Sequence, residues 1–309
     1  MPVRSGPNSH YLRERYGRDH VVASDIRADV PEAILDAGPY EALNVTDPAA
    51  MTQLIKKYQI DTVFHLASIL SAAGENNPQL AWNVNMNGLY ATLEVARELK
   101  CAVFAPSSIA AFGPSTPRDM TPQDTLQRPT SMYGVTKVAG ELLMDYYFQK
   151  FQVDTRGVRY PGLISYVAPP GGGTTDYAVD IYYKALQEKK FSCFLSPDSA
   201  LPMMYMPDAL KATVDLMEAD PAKLTHRNAY NVAAVSFTPT DLALSILKYI
   251  PDFQMSYDVS PMRQAIADSW PRSMDDSVAR TDWGWTPAYD LDSMTVDMLK
   301  NLKIKLQIS

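Results

Sequence analysis

The stretch T-V-F-H-L-A, which runs from Thr62 to Ala67, decides the fold of this chain. It is a short apolar run of the kind that forms a buried strand. Apolar residues then recur at helical spacing from Leu80 to Leu99, and a second strand-like run follows at Cys101 to Ala105. A strand, a helix and a strand in this order predict two parallel strands joined by a helix.

The same alternation extends in both directions along the chain. Four further segments continue it: a strand at His20 to Ala23 that ends on Ser24 and Asp25, a helix at Asp47 to Tyr58, a helix at Ser131 to Phe151 and a strand at Asp154 to Tyr160. We therefore predict an α/β fold with a doubly wound parallel sheet over residues 1–162. The alternation of strands and helices changes after Pro161-Gly162. Residues 163–309 are therefore expected to form a smaller lobe, from which segments can return to the sheet.

Charge and composition exclude several classes of protein. The 309 residues carry a net charge of -7 and no cluster of Lys and Arg, which disfavours a nucleic-acid partner and favours a small molecule. No apolar run approaches the roughly 18 residues that cross a bilayer, and the amino-terminal segment lacks the apolar stretch of a signal peptide. We therefore expect no membrane partner and a cytoplasmic location.

Neither a disulfide framework nor a metal site is expected from the sequence. Cys101 and Cys193 are the only cysteines, and they are typical of reduced core residues. The four histidines lack the spacing of metal ligands, and no C-x-x-C or H-E-x-x-H pattern accompanies them. Zinc-dependent chemistry is therefore disfavoured.

Three polar side chains form a pattern with chemical meaning. Ser108 follows the strand at Cys101 to Ala105, and Tyr133 and Lys137 lie four residues apart in the predicted helix. Residues at this spacing share a helix face, so the ammonium can lie below the phenol and make it a usable general base. Ser108 can hold a substrate hydroxyl while Tyr133 removes its proton and hydride leaves the same carbon for a nicotinamide. The pattern predicts an alcohol-oxidising site.

Asp25 closes the first predicted strand and points to the same class of cofactor. A carboxylate there can accept both ribose hydroxyls of NAD while it repels the extra phosphate of NADP. Plainer interpretations stay open, because Asp25 can be a solvated loop residue or a helix cap. A bare Y-x-x-x-K pattern also occurs on helix surfaces, although the upstream serine and strand favour the catalytic interpretation here.

Six strings make the chain similar to a known family from about Tyr11 to Leu299. They are S-D-I at Ser24 to Ile26, H-L-A-S at His65 to Ser68, N-V-N-M-N-G at Asn83 to Gly88, P-S-S-I-A-A-F-G at Pro106 to Gly113, Y-G-V-T-K at Tyr133 to Lys137, and R-Y-P-G at Arg159 to Gly162. With these strings the sequence resembles the extended short-chain dehydrogenase/reductase family, which includes sugar-nucleotide epimerases and short-chain-type L-threonine 3-dehydrogenases. The resemblance implies a Rossmann-type domain over residues 1–162 that binds NAD.

The resemblance also implies roles for individual residues. Ser108, Tyr133 and Lys137 would be catalytic, and Lys137 would also hold the nicotinamide ribose. Asp25 would hold the adenine ribose, and Asn85 would support the site from behind. The remaining cofactor contacts would come from Asn44, Val45, Leu66, Ala67, Ser68, Ser107, Tyr160, Gly162 and Leu163. Apolar members of this set are equally typical of a sheet core.

Two later strings bear on the substrate. G-G-G-T-T-D-Y-A at Gly171 to Ala178 and D-W-G-W-T-P at Asp282 to Pro287 resemble the threonine dehydrogenases more than the epimerases, which implies oxidation of L-threonine to 2-amino-3-ketobutyrate. An amino-acid pocket needs donors for a carboxylate and an acceptor for an ammonium. Besides Ser108 and Tyr133, these groups would come from Ser71, Thr174, Thr175 and Asp176. Thr174 and Asp176 are also typical caps for a helix beginning near Tyr177.

The amino terminus departs from the family pattern. Members begin with a strand and a G-x-x-G-x-x-G turn whose amides receive the NAD pyrophosphate, whereas Gly6 is the only glycine here before Gly17. Loss of that strand would leave its neighbours with unpaired backbone groups. Three explanations stay open: an altered start, a shortened loop in which Ser5, Gly6 and Asn8 replace the glycines, or impaired cofactor binding.

Other functions and both simple assembly states also stay open. A sugar-nucleotide epimerase or dehydratase would use the same Tyr/Lys pair but needs basic residues for a diphosphate, and the acidic, hydroxyl-rich segment Gly171 to Asp176 argues against it. A non-catalytic nucleotide-binding protein is compatible with the unusual amino terminus. Relatives often form homodimers through helices that correspond to Leu80 to Leu99 and Ser131 to Phe151, and a monomer is the alternative.

Overall fold

The computed structural model describes residues 6–171 and 173–308, and the chain divides into two compact units. The first unit comprises the chain up to Ser107 together with Ser131–Gly157 and His226–Ala229. The second comprises Ser108–Thr130, Val158–Thr225 and the chain from Tyr230 onward. The predicted α/β fold with parallel strands is confirmed, and the division into domains at residue 162 stays a prediction.

The strands of the first unit are short and pair in parallel. They are β1 (Ala23–Asp25), β2 (Tyr40–Ala42), β3 (Thr62–Phe64), β4 (Ala102–Phe104) and β6 (Thr155–Arg156), while β5 (Ser107–Ser108) lies where the chain passes from one unit to the other. β1 pairs with β2, and β4 lies between β3 and β6. The first unit therefore holds two separate parallel sheets.

The separation of these two sheets is a feature of the amino-terminal half. Among residues 6–171 and 173–308, no strand joins β1 to β3. The first described helix, α1 (Gly6–Tyr16), precedes β1 in the chain.

Helices surround these strands. Besides α1 they are α2 (Glu32–Asp36), α3 (Pro48–Tyr58), α4 (Ser71–Asn76), α5 (Pro78–Trp82), α6 (Gly88–Leu99) and α7 (Met132–Phe151). Asp47 caps α3 by accepting from the backbone N–H groups of Ala49 and Ala50, as its D-P start suggests. The core between α3, α6, α7 and β4 is built from Met51, Ile55, Leu89, Leu93, Val103 and Met144.

Three predicted elements differ from the structure. The first strand is Ala23–Asp25 rather than His20 to Ala23, because His20 ends a 3-10 turn. The helix predicted over Leu80 to Leu99 is divided by a π-helical segment at Asn83–Asn87, where one extra residue per turn is accommodated. The strand predicted over Asp154 to Tyr160 is divided at Gly157.

Gly157 divides that strand because another piece of backbone approaches it closely. A Cβ atom at Gly157 would lie 2.3 Å from the carbonyl oxygen of Ala105, whereas real Cβ contacts exceed 3.0 Å. The N–H of Ala105 donates to the carbonyl of the preceding residue, Arg156, over 3.0 Å. Only glycine fits between these two chain segments without moving one of them.

The second unit is built around its own core. Its strands are β7 (Val158–Tyr160), β8 (Gly162–Ile164), β9 (Lys190–Cys193), β10 (Leu201–Tyr205), β11 (Tyr230–Asn231), β12 (Val235–Phe237) and β13 (Gln254–Tyr257). Its helices are α8 (Tyr177–Gln187), α9 (Met206–Glu218), α10 (Pro239–Leu247), α11 (Pro261–Asp268), α12 (Ser277–Trp283) and α13 (Leu291–Leu306). A large apolar cluster includes side chains of α8, β10, α10 and α13, among them Tyr182, Met203, Ile246 and Met298.

Three further expectations can be compared with the fold. Cys101 and Cys193 are both buried and unpaired, as predicted. Among the described helices, none combines the length and the apolarity that a bilayer crossing needs. In the same residues, no group of three His, Cys, Asp or Glu side chains converges on a point where a metal ion could bind.

We predict that Gly157→Ala destabilises the first unit severely. The added methyl group would overlap the Ala105 carbonyl, and overpacking against a fixed backbone lowers the free energy of unfolding by about 3 kcal/mol. Urea unfolding followed by circular dichroism measures this change. Gly74→Ala is the matched control, because its Cβ would meet only the Ala81 methyl at 3.4 Å inside helix α4, where alanine is favoured by up to about 1 kcal/mol. Equal stabilities of the two variants would contradict the packing argument.

Candidate active site

Helix α7 carries Tyr133 and Lys137 in its first two turns, and its amino-terminal end is firmly fixed. Ser131 caps it by accepting from the N–H of Gly134 over 3.1 Å. Glu75, at the end of α4, accepts from the N–H of Met132 over 2.7 Å. Both acceptors satisfy N–H groups that a helix end leaves unpaired, and the Glu75 charge interacts favourably with the helix dipole. The turn that bears Tyr133 is therefore held at two points.

The Lys137 ammonium lies beside the Tyr133 ring. Its Nζ is 5.3 Å from the ring centroid and donates to the carbonyl oxygen of Pro106 over 2.6 Å. Tyr133 is half-buried, so its phenol stays accessible from one side. A cation at this place can stabilise negative charge that develops on the phenol oxygen. The catalytic role of this pair stays a prediction.

A pocket of about 450 Å³, including the part open to solvent, lies against Lys137 within the first unit. Residues from the segments after β3 and β4, the π-helical segment, α6, β5 and α7 line it, together with one residue from a later loop. They are His65, Leu66, Ala67, Ser68, Asn85, Leu89, Ala105, Pro106, Ser107, Thr136, Lys137, Gly140, Glu141, Met144 and Asn228. Six of the residues that the sequence analysis selected are thus brought to one cavity: Leu66, Ala67, Ser68, Asn85, Ser107 and Lys137.

Asn85 lines this cavity and bonds to the segments around it. Its Oδ1 accepts from the N–H of Ile69 over 2.7 Å and from the Ser68 hydroxyl over 3.2 Å. Its Nδ2 donates to the carbonyl of Ile69 and to the Thr136 hydroxyl, each over 3.1 Å. Because both ends of the amide are used by protein groups, Asn85 joins the segment after β3 to helix α7.

Four polar residues of the pocket wall were missed by sequence reasoning. They are His65, Thr136, Glu141 and Asn228. Glu141 lies one turn beyond Lys137, so the i, i+4 rule that selected Lys137 could also have found it. His65 stands in the string H-L-A-S and was treated there as part of a strand. Asn228 lies far along the chain from the rest, and no local pattern indicates it.

His65 is a neutral base at the pocket wall. Its Nδ1 is 2.9 Å from the Thr92 hydroxyl, which in turn donates to the carbonyl of Gly88. Since Thr92 has one proton to give, it accepts from His65 Nδ1–H, and Nε2 carries the lone pair. Nε2 is buried without a partner. Burial, and then the nearby Lys137 charge, lower the pKa of His65 to about 4.

The residues assigned to the adenosine half of a cofactor lie elsewhere in the first unit. Asp25 ends β1, and its Oδ1 accepts from the N–H of Arg27 over 3.2 Å while the guanidinium of Arg27 lies 3.7 Å away. Asn44 holds a turn by accepting from the N–H and the hydroxyl of Thr46. Val45 packs against the core. These three residues, Tyr133 and Ser71 at the start of α4 are absent from the pocket lining.

Ser108 and the segment Tyr160 to Leu163 belong to the second unit. The Ser108 oxygen accepts from the N–H of Ala110 over 3.2 Å, so its own proton stays available to another acceptor. The Tyr160 hydroxyl donates to the carbonyl of Ala209 and contacts the Thr213 hydroxyl in helix α9. Burial raises the pKa of Tyr160, so its hydroxyl stays protonated.

Gly162 and the segment Thr174 to Asp176 lie together in the second unit. A Cβ atom at Gly162 would be 2.4 Å from the Met203 sulfur and 2.8 Å from the Thr175 methyl carbon. Asp176 Oδ2 accepts from the N–H groups of Gly171 and Gly173, over 2.6 and 2.9 Å. The carboxylate therefore anchors the glycine segment and makes no side-chain bond at the start of α8.

Comparison with known proteins agrees with this geometry. A model of the family described as the NAD dependent epimerase/dehydratase family matches residues 9–233. A curated relative from Staphylococcus saprophyticus, described as an uncharacterized epimerase/dehydratase, is 56% identical over 293 residues, which cover 95% of this chain and 92% of the relative. A similar protein of the same description from Staphylococcus haemolyticus is 52% identical over 295 residues, or 96% of this chain and 93% of that one.

Several solved structures are similar over nearly the whole chain. An L-threonine dehydrogenase from Clostridium difficile has a TM-score of 0.95 and 57% identity, with 96% of this chain and 93% of that one covered. An L-threonine dehydrogenase from Phytophthora infestans has a TM-score of 0.94 and 51% identity, with coverages of 98% and 97%. A UDP-glucose 4-epimerase from Thermotoga maritima, at 18% identity and a TM-score of 0.83, shares the fold.

We predict a pH dependence of stability that comes from His65. Because its pKa falls from 6.5 to about 4 on folding, the unfolded chain binds a proton that the folded chain does not. The free energy of unfolding should therefore decrease as the pH falls through this window, by about 3 kcal/mol between pH 7.5 and pH 4 from this residue alone. Urea titrations of the wild type and of His65→Gln across that range measure the difference. The same slope in both proteins would contradict a buried neutral His65.

Proposed function

The chain belongs to the NAD dependent epimerase/dehydratase family, and from that premise we propose that it oxidises L-threonine to 2-amino-3-ketobutyrate with NAD as the hydride acceptor. One observation carries the proposal. The Lys137 ammonium lies 5.3 Å from the centre of the Tyr133 ring beside a pocket that is open to solvent. A positioned phenol with an adjacent cation is a general base for an alcohol.

The residues at the pocket wall fit the nicotinamide half of an NAD molecule. His65 Nε2 and Asn228 Oδ1 are buried acceptors without partners at the pocket wall, so the cavity is suited to a ligand or water that donates hydrogen bonds. NAD, when bound, supplies the carbon that accepts hydride. The nicotinamide half would be held by Lys137, with Leu66, Ala67, Ser68, Ser107, Tyr160, Gly162 and Leu163 around it and Asn85 in support. The adenosine half would lie at Asp25, Asn44 and Val45.

The chain's own residues account for the proton in this reaction. Tyr133 accepts the proton of the threonine β-hydroxyl as the hydride leaves the β-carbon, so the alcohol loses two electrons and two hydrogens. Lys137 stabilises the charge on the phenol oxygen. Ser108 orients the substrate hydroxyl, and its proton is available for that bond because Ala110 uses only its lone pair.

Threonine as the substrate is supported by the relatives and by the donor set. Solved structures that are 43–57% identical to this chain are described as L-threonine dehydrogenases. In our proposal Ser71, Thr174 and Thr175 donate to the amino-acid carboxylate. Asp176 accepts from the ammonium through Oδ1, because its Oδ2 already accepts from the N–H groups of Gly171 and Gly173.

A non-catalytic nucleotide-binding protein is the second candidate, and a specific observation favours it. Among the described residues no strand connects β1 to β3. An assay of NAD reduction beside a calorimetric measurement of NAD binding separates this candidate from an enzyme, because a non-catalytic protein binds NAD without reducing it. Assays with threonine, serine and a nucleotide sugar as separate substrates separate a threonine dehydrogenase from an epimerase.

We predict that Tyr133→Phe lowers kcat/KM for threonine by about 10² to 10⁴-fold while the protein stays folded, because the variant loses its proton acceptor. The absorbance of the reduced nicotinamide measures the rate. Tyr146→Phe is the matched control: Tyr146 lies in the same helix, 52% exposed, and its loss should leave the rate unchanged. Wild-type turnover by purified Tyr133→Phe would contradict the role of Tyr133 as the proton acceptor.

Cofactor preference gives a separate prediction. Asp25→Ser removes the carboxylate and frees the guanidinium of Arg27, 3.7 Å away, to pair with the 2′-phosphate of NADP. The ratio of kcat/KM with NAD to that with NADP should fall on the order of tenfold or more. Asp29→Ser removes the same charge from an exposed position four residues on and should leave the ratio unchanged. An equal shift in both variants would point to net charge rather than to the ribose site.

A further inference from the structure

Helix α7 is fastened to its neighbours by three polar side chains spaced four residues apart. Lys137 donates to the carbonyl of Pro106, Glu141 accepts from the Ser107 hydroxyl, and Asp145 accepts from Asn228 Nδ2. Residues at this spacing lie on one face of the helix. Lys137, Ser107, Glu141 and Asn228 all line the pocket. The face of α7 toward the pocket is therefore polar and bonded along three turns.

Glu141 is the unusual member of this row. It is 5% exposed, and the partner of its Oε1 is the hydroxyl of Ser107, which is 7% exposed. Burial of a carboxylate costs free energy that a leucine in the same place would not incur. Residues that violate a rule of packing in this way are expected mainly at functional sites.

The hydrogen bond from Ser107 to Glu141 affects the position of the site residues on either side of Ser107. Ser107 stands between Pro106, whose carbonyl holds the Lys137 ammonium, and Ser108, the proposed orienter of the substrate hydroxyl. The bond to Glu141 fixes the segment Pro106–Ser107 against the same helix that carries Tyr133. A shift of this segment would move the anchor of Lys137 and the backbone of Ser108 together.

We propose that Glu141 is a positioning residue for the reaction: by accepting the Ser107 hydroxyl it holds the segment Pro106–Ser107, which anchors Lys137, in place on helix α7. The catalytic part of this proposal rests on the proposed function. The tether itself does not, since it is a property of the unliganded protein. Misplacement of reacting groups by about 1 Å lowers turnover by as much as about 100-fold, so a small movement here matters.

The experiment compares Glu141→Leu, Ser107→Ala and Glu141→Gln with the wild type. Glutamine keeps an acceptor for the Ser107 hydroxyl, whereas leucine and the Ser107→Ala change remove one side of the bond. Glu94→Leu is the matched control. Glu94 lies in α6, accepts from the hydroxyl of Tyr147 in α7 over 2.5 Å and lies outside the pocket lining. Two quantities are measured: amide hydrogen exchange of residues 105–112 without ligand, and kcat and KM with threonine and NAD.

We expect exchange in residues 105–112 to become about tenfold faster in Glu141→Leu and Ser107→Ala, and to stay near the wild-type rate in Glu141→Gln and Glu94→Leu. In the first two variants kcat should fall about tenfold or more, and in Glu141→Leu the KM for NAD should stay within about twofold of the wild type. A merely structural role would lower the unfolding midpoint instead, and it would not produce recovery of kcat in Glu141→Gln.

Unchanged exchange in both Glu141→Leu and Ser107→Ala would overturn the tether. Faster exchange with a wild-type kcat would overturn the positioning role. If Glu141→Leu does not fold, the comparison of Ser107→Ala with Glu141→Gln decides whether the tether exists. If the wild type does not oxidise threonine, the proposed function is wrong, and the exchange rates still decide whether Glu141 holds the segment.

Discussion

The site depends on one interaction, the bond between the Lys137 ammonium and the carbonyl oxygen of Pro106. It places a positive charge beside the Tyr133 ring and joins the segment after β4 to helix α7. An ammonium has three donors, and the carbonyl occupies one of them. The remaining donors can serve a ribose hydroxyl or water without disturbing the position of the charge.

The surrounding polar side chains act mainly on backbone position. Asn85 fixes the segment after β3 through three hydrogen bonds and joins it to α7 through a fourth, and Glu75 and Ser131 fix the first turn of α7. Each bond joins segments that are distant in sequence or caps a helix end. The geometry of the Tyr133/Lys137 pair is therefore set by the first unit as a whole, and the pair by itself supplies only the spacing.

Sequence reasoning succeeded where the determining contacts are local. The Tyr133/Lys137 spacing is a helical repeat, the cap at Asp47 lies within three residues of its partners, and alternation of apolar runs indicates α/β architecture. It failed at Gly157, because the carbonyl that excludes a side chain there belongs to Ala105. Asn228 was missed for the same reason, since its partner Asp145 is 83 residues away, whereas the helical spacing from Lys137 could have indicated Glu141.

The division of the first unit into two sheets has an energetic consequence for any cofactor that spans it. Asp25 stands on β1, while the pocket at Lys137 is built on β3, β4 and α7, and among the described residues no strand hydrogen-bonds the two sheets together. A ligand with one end at Asp25 and the other at Lys137 would contact both sheets. Its two sets of contacts would then be coupled through the ligand, because binding at one end raises the effective concentration of the other end at its own site.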